Sequence, residues 1–447
     1  MRRSRAPSRG MRAVTPLIAT AKRFGWGVAD QALNSLTNFA IGIVVARTVG
    51  TRDFGLFNVV FVTYLVALGI SRAMSTDPLV VRLSGISGTP FIRAARSATG
   101  TAVAVGCAMS LVCVVAAAIL GGSFVTPFLM LALFLPFLTL QDGWRYVFFT
   151  QERGRSAFVN DLVWALVLLP ALWVVVRAPD PSVAQLVAVW GLGATVAALV
   201  GMIQARTTPA VGLTREWWNR QKDLAGRFMG EFAAMSIGAQ LTVYVVGFFA
   251  GLPAIGAIRA GYLILGPLNI LFMGISIVAV PAAVRMLRRQ PGEMMALSSR
   301  ISIALGGITL VWGISGLLIP ERWGELILGD VWISARSVLL PLTLAMTAAG
   351  VLSGALTGLR ALEAARHSLR ARIFLSCVTV FAAGAGAALG GAVPAAWGSA
   401  IGMWVGVIVW WQQLLSAYRS QYPEQDQRTA VTGPDPTVSP ASIGEVL

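Results

Sequence analysis

Residues 30–55 read DQALNSLTNFAIGIVVARTVGTRDFG. Asp30, Asn34 and Asn38 recur every four residues, with Gln31 and Ser35 beside them. That spacing places them on one side of a helix, against an otherwise apolar surface. The helix ends in the turn Gly50-Thr-Arg-Asp-Phe-Gly55, which feeds a second apolar helix. The pattern returns later in the chain. Glu231, Ser236, Gln240 and Tyr244 mark another polar face, followed by Gly251-Leu-Pro-Ala-Ile-Gly256. Aligning the glycines puts Asp30 on Glu231 and Ser35 on Ser236. The likeness runs on through Gly69-Ile70-Ser71 and Gly274-Ile275-Ser276, then through Pro-x-x-Val-Arg at Pro78–Arg82 and Pro281–Arg285.

The surroundings of this repeat define the class of protein. Of 447 residues, 56% are hydrophobic and 12% charged, with mean hydropathy +0.74. A soluble domain carries about 25% charge. Spans of about 20 apolar residues recur throughout, without the alternation of barrel strands. Twelve are expected: residues 24–46, 54–73, 99–120, 124–140, 158–176 and 183–204, then 228–250, 258–280, 301–319, 338–359, 373–391 and 395–415. Six spans separate the repeats, and an even number preserves orientation, so the repeats are parallel. The expected fold is all-α integral membrane: twelve transmembrane helices in two parallel-repeat six-helix bundles around a central cavity. The expected domains are a basic arm (1–23), a first bundle (24–204), a cytoplasmic linker (205–227), a second bundle (228–416) and a disordered tail (417–447).

The net charge of +16 would suggest nucleic acid in a soluble domain. Here arginines concentrate in alternate connections between spans, so topology explains them and no nucleic-acid partner is expected. The positive-inside rule then places both termini in the cytoplasm of a cytoplasmic-membrane protein. No cleavable signal is expected, because the basic arm leads straight into a full-length span. Cys107, Cys113 and Cys377 fall in spans and form no CxxC pair, so neither a disulfide nor a metal site is expected. The single histidine, His367, is expected to be solvated in a basic loop. Trp217, Trp218, Trp410, Trp411, Trp323 and Trp332 are expected in interfacial belts. No HExxH, Walker or GxSxG pattern occurs, so neither an enzyme nor a cofactor is expected.

Several side chains carry candidate chemistry. Asp30 and Glu231 are carboxylates inside predicted spans, where low dielectric suits ion coupling. The alternative is pairing with Arg23 or Arg227 near the membrane surface. Asn34, Asn38, Gln240 and Tyr244 offer hydrogen bonds to a substrate in the cavity, or equally between helices. Arg47 and Arg259 sit near the outer helix ends and would bind phosphate bidentately if turned inward. Snorkelling to the interface is the alternative. Arg72, Arg82 and Arg285 flank a cytoplasmic mouth, where topology or anionic lipid headgroups also account for them. Pro136, Pro170, Pro267, Pro281 and Pro341 interrupt predicted helices. Gly398, Gly402 and Gly406 give the last span a face for close helix approach.

The run Ala46-Arg47-Thr-Val-Gly50-Thr-Arg-Asp-Phe54-Gly55 resembles the polysaccharide transporter (oligosaccharide flippase) family of the multidrug/oligosaccharidyl-lipid/polysaccharide exporter superfamily. In that family the first span closes with A-R-x-L-G and a short spacer to F-G; here Val49 replaces the leucine. The segment from Gly251 to Gly261 and Pro267 is similar to that family's seventh and eighth spans. The resemblance implies flipping of an undecaprenyl-pyrophosphate-linked oligosaccharide to the outer leaflet by alternating access. A cationic cavity would hold the pyrophosphate and sugars, and Asp30 or Glu231 would carry a coupling ion. The partners implied are the lipid-linked oligosaccharide and membrane lipids, with a monomer expected. Two alternatives stay open: a cation-coupled multidrug exporter of the same superfamily, and an integral-membrane enzyme of polyprenyl-linked glycan assembly.

Overall fold

The computed structural model describes residues 9–423, all helix and connecting turns with no strand among them. The first half comprises α1 (Arg9–Thr48), α2 (Thr51–Ser71), the short α3 (Asp77–Leu83), α4 (Thr89–Leu120), α5 (Val125–Thr150), α6 (Gly154–Val176) and α7 (Val183–Ala205). An amphipathic helix, α8 (Thr214–Phe232), leads to α9 (Gly238–Leu265). The second half continues with α10 (Pro267–Arg289), α11 (Pro291–Leu317), the short α12 (Glu321–Leu328), α13 (Val331–Ala361), α14 (Ala365–Gly390) and α15 (Ala392–Gln421).

Ten helical segments among the described residues are long and apolar enough to cross a membrane. Two predicted spans fall outside that set. Residues 24–46 lie on α1, whose row of Asp30, Gln31, Asn34 and Asn38 lowers its hydropathy. Residues 258–280 do not form one helix: α9 ends at Leu265 and α10 begins at Pro267. Pro267 therefore starts a helix at its first turn, where its missing N–H costs nothing. Pro136, Pro170, Pro281 and Pro341 lie inside helices. Residues 205–227 hold most of α8, so this connection is itself structured. The arm before residue 9 and the tail after residue 423 lie outside the described residues, as does the side chain of Arg23.

Within each half the helices pack mainly on one another: α4 on α5, α5 on α7 and α1 on α6 in the first, α11 on α13 and α14 on α15 in the second. Small residues set these approaches. A Cβ on Gly398 would lie 2.0 Å from the Ala382 carbonyl oxygen, and one on Gly402 2.8 Å from the Thr379 Cα. The glycine row of the last span thus serves packing within the chain.

The main contact between halves is α2 against α9. Gly251 has φ 78° and ψ 177°, a conformation open to glycine, and it kinks the chain inside α9. This brings Leu252–Gly256 onto Thr51–Gly55. A Cβ on Gly55 would lie 1.9 Å from the Leu252 carbonyl oxygen, and one on Gly256 2.0 Å from that of Thr51. Thr51 and Leu252, like Gly55 and Gly256, are equivalent in the sequence repeat, so the contact is reciprocal. Thr51 and Ser334 hydroxyls add a 3.1 Å hydrogen bond nearby. All of these lie at the helix ends away from the basic connections.

Two expectations about polar surface residues need correction. Trp217, Trp332 and Trp410 are buried, at 4%, 1% and 1% exposure, and pack against protein instead of presenting exposed rings. The Trp217 indole N–H donates to the Met74 carbonyl at 3.0 Å. His367 is half-buried on α14 with its Nδ1 2.9 Å from Gln413 Oε1, not solvated in a loop. Among the described residues, Cys107 and Cys377 are exposed and Cys113 buried, all as free thiols.

Candidate functional site: two chambers between the halves

The polar face of α1 turns towards α5 and α6 and closes on a buried cluster. Asp30 is wholly buried, and its Oδ2 accepts from Arg145 Nη2 at 2.5 Å and Nε at 2.9 Å. Arg145 Nε also lies 3.3 Å from Asp161 Oδ2 on α6. Asp161 Oδ1 accepts from Gln141 at 2.8 Å, and Asn34 reaches its Oδ2 at 3.5 Å. Asn38 donates to Asn34 Oδ1 at 2.8 Å. Beside these, Arg72 grips Asp142 with two hydrogen bonds, Nε–Oδ2 at 2.8 Å and Nη2–Oδ1 at 2.7 Å.

The cluster holds three carboxylates, Asp30, Asp142 and Asp161, against two guanidiniums, Arg72 and Arg145. Buried charge is tolerated when it is paired and hydrogen-bonded. Among the described residues one carboxylate is in excess here, and Asp30 Oδ1 is buried with no hydrogen-bond partner among them. Asp30, Asp142, Arg72 and Arg145 line a chamber of about 360 Å³ together with Tyr64, Tyr146, Phe149 and Trp164, with Asp161 behind its wall.

A second chamber, of about 400 Å³, lies against the second half. Its polar lining includes Gln240, Thr242, Arg259, Tyr262, Thr379 and Ser399. Arg259 is accessible from within this space although protein surrounds it. Its guanidinium carbon lies 5.7 Å from the centre of the Phe61 ring, a cation–π contact. No carboxylate pairs with Arg259 among the described residues. Thr379 Oγ1 is buried and unpartnered in the same wall. Phe61 and Leu65 of α2 line both chambers and form the partition between them.

The sequence-predicted residues divide between these places. Asp30, Asn34, Asn38 and Arg72 meet in the first chamber; Gln240 and Arg259 line the second. Tyr244 is packed between the halves, its hydroxyl 2.9 Å from that of Thr63. Arg47 is exposed at the C-terminal end of α1, against Gly329, outside both chambers. Glu231 is exposed on α8, also outside them. Arg82 bonds Asp223, Gln221 and the Arg220 carbonyl on α8, and Arg285 is exposed on α10. Sequence reasoning passed over Arg145, Asp142, Asp161 and Gln141. α5 runs on to Thr150, past the predicted span ending at residue 140, and carries Arg145 into the interior. The available signal was Asp161, an ionisable residue inside a predicted span.

No protein-family model and no curated protein sequence matches the chain. Solved structures do. Lipid II flippase MurJ in an inward closed conformation matches with TM-score 0.66 and 10% identity, over 92% of this chain and 94% of that one. An inward-facing multidrug resistance MATE family transporter of the MOP superfamily matches with TM-score 0.67 and 13% identity, over 89% and 99%. An outward-facing MATE family transporter gives TM-score 0.50 and 13% identity, over 93% and 96%. The chain has the fold of these membrane transporters.

Proposed function

We propose that this chain is a transporter that flips a polyprenyl-pyrophosphate-linked oligosaccharide across the cytoplasmic membrane by alternating access. The observation that carries the reading is Arg259: an unpaired guanidinium facing a chamber between the halves. A guanidinium without a carboxylate partner is the group that takes a phosphate in a two-pronged hydrogen bond. Gln240, Thr379 and Ser399 beside it offer hydrogen bonds for sugar hydroxyls. The chain then works as two six-helix bundles that rock about the α2–α9 contact, with both termini in the cytoplasm. The first chamber supplies the drive: its extra negative charge binds a proton or a small cation in one state and releases it in the other. Asp30, with its unpartnered oxygen, is the carrier.

A second reading has its own support. Tyr64, Tyr146, Phe149 and Trp164 around a net-negative cluster suit a lipophilic cation. That would make the chain a cation-coupled drug exporter.

Purified chain in proteoliposomes separates the two. A fluorescent polyprenyl-pyrophosphoryl sugar should be flipped by the wild type and not by Arg259→Ala, with a cationic dye left untransported by both. Flipping unaltered by Arg259→Ala removes the phosphate role; transport of the dye alone favours the exporter.

A further inference from the structure

On helix α8, Glu216, Arg220, Asp223, Arg227 and Glu231 share one flank, while Arg215 and Lys222 lie on another. Its buried side, Trp217, Gln221 and Ala225, packs against the first half. Two acids on the first flank turn to protein partners. Glu216 accepts from Arg93 at 3.0 Å and from Arg220 at 2.8 Å, and Asp223 pairs with Arg82. The opposite side is different. Arg215, Trp218 and Lys222 follow one another at i, i+3 and i+7, which aligns them on one stripe. All three are exposed, Trp218 at 40%, and neither cation has a carboxylate partner among the described residues.

This helix is also tied to the ends of other helices. Trp217 donates to Met74, and Arg82 and Arg93 lie where α3 ends and α4 begins. Both points belong to the basic-connection ends of membrane-spanning segments, the level of lipid headgroups. An exposed indole between two unpaired cations at that level matches a surface of anionic headgroups: the ring settles among them while the cations meet phosphates. A soluble polyanion would leave the indole in water.

We propose that the Arg215–Trp218–Lys222 stripe of α8 is a docking surface for anionic phospholipid headgroups of the leaflet on the basic-connection side. The docking has a route to the transport chambers. Backbone at Ala233 and Gly238 is helical, so α8 runs through the segment Ala233–Ile237 into α9 without a break. Gln240 on α9 lines the Arg259 chamber. Headgroups held on α8 therefore brace the first helix of the second half.

Hydrogen–deuterium exchange of the full chain in lipid nanodiscs tests this without reference to any transported substrate. Residues 214–232 should exchange several-fold more slowly in discs of phosphatidylcholine mixed with phosphatidylglycerol than in phosphatidylcholine alone. The double variant Arg215→Gln, Lys222→Gln should lose that difference while keeping the wild-type melting temperature. Equal exchange of the wild type in both discs would overturn the proposal, and this comparison stands even if the variant does not fold. A difference that persists in a folded double variant would overturn it too. So would protection of the wild type by inorganic phosphate alone in phosphatidylcholine discs.

Discussion

Gly55 and Gly256 meet across the two halves, the backbone nitrogen of each 3.1 Å from where a Cβ on the other would sit. Equivalent residues of the repeat supply both sides of the contact, the Leu252 carbonyl on one and the Thr51 carbonyl on the other. What yields to an added methyl here would have to be backbone. Gly55→Ala should therefore lower stability by about 1–3 kcal/mol, the usual cost of overpacking. It should also weaken the outer contact between halves. A melting curve reads the first effect. The second is read by labelling a cysteine at Ser334 with a membrane-impermeant maleimide, which should proceed faster in Gly55→Ala.

The same seam gives a reversible lock. Thr51 and Ser334 hydroxyls are 3.1 Å apart, so cysteines at both positions come within disulfide reach. Oxidised Thr51→Cys, Ser334→Cys protein should stop transporting in proteoliposomes, and a reductant should restore it. Transport by the oxidised form at the wild-type rate would mean that this contact stays closed through the cycle.

Arg259 can be tested by degree. Arg259→Lys keeps the charge but loses the planar fork and its stacking on Phe61. If a pyrophosphate is held bidentately, Arg259→Lys should lower affinity by about tenfold, roughly 1.4 kcal/mol. Arg259→Ala should lower it much further. Titration with a polyprenyl pyrophosphate, monitored by thermal shift, separates the variants. Equal affinity for Lys and Arg would point to a simple charge contact.

Much of this architecture is legible in the sequence because the relevant signals are local. Apolar runs mark the helices, and the paired Gly50–Gly55 and Gly251–Gly256 turns mark the repeat that becomes the α2–α9 crossing. The i, i+4, i+8 row of Asp30, Asn34 and Asn38 identifies the side of α1 that faces the first chamber. Partners across helices are not local, and those were missed. Nothing in the string links Asp30 to Arg145 or Arg72 to Asp142; helix packing alone brings them together. Hydropathy also hides burial of tryptophan, since the same indole suits an interface or a core, and Trp217, Trp332 and Trp410 took the core. Asp30 and Glu231 are equivalent in sequence register but not in environment: Asp30 is buried against Arg145, and Glu231 is exposed on α8.

The two members of the Asp30–Arg145 pair should fail differently. Arg145 lies between two carboxylates, Asp30 at 2.5 Å and Asp161 at 3.3 Å. Arg145→Ala leaves both buried without a cation, an error that costs about 3–5 kcal/mol in a buried pair. Asp30→Asn is gentler, because Arg145 keeps Asp161 and Arg72 keeps Asp142. The cluster then has two carboxylates and two guanidiniums, and its leftover negative charge is gone. Asp30→Asn should fold with nearly wild-type stability, still bind the phosphorylated lipid, and lose the acceleration that an imposed proton or sodium gradient gives to flipping. Arg145→Ala should be poorly folded under any gradient. Proteoliposome flipping with and without the gradient, beside melting curves for both variants, reads all of this. An Asp30→Asn protein that still responds to the gradient would assign the coupling charge to Asp161 or Asp142 instead.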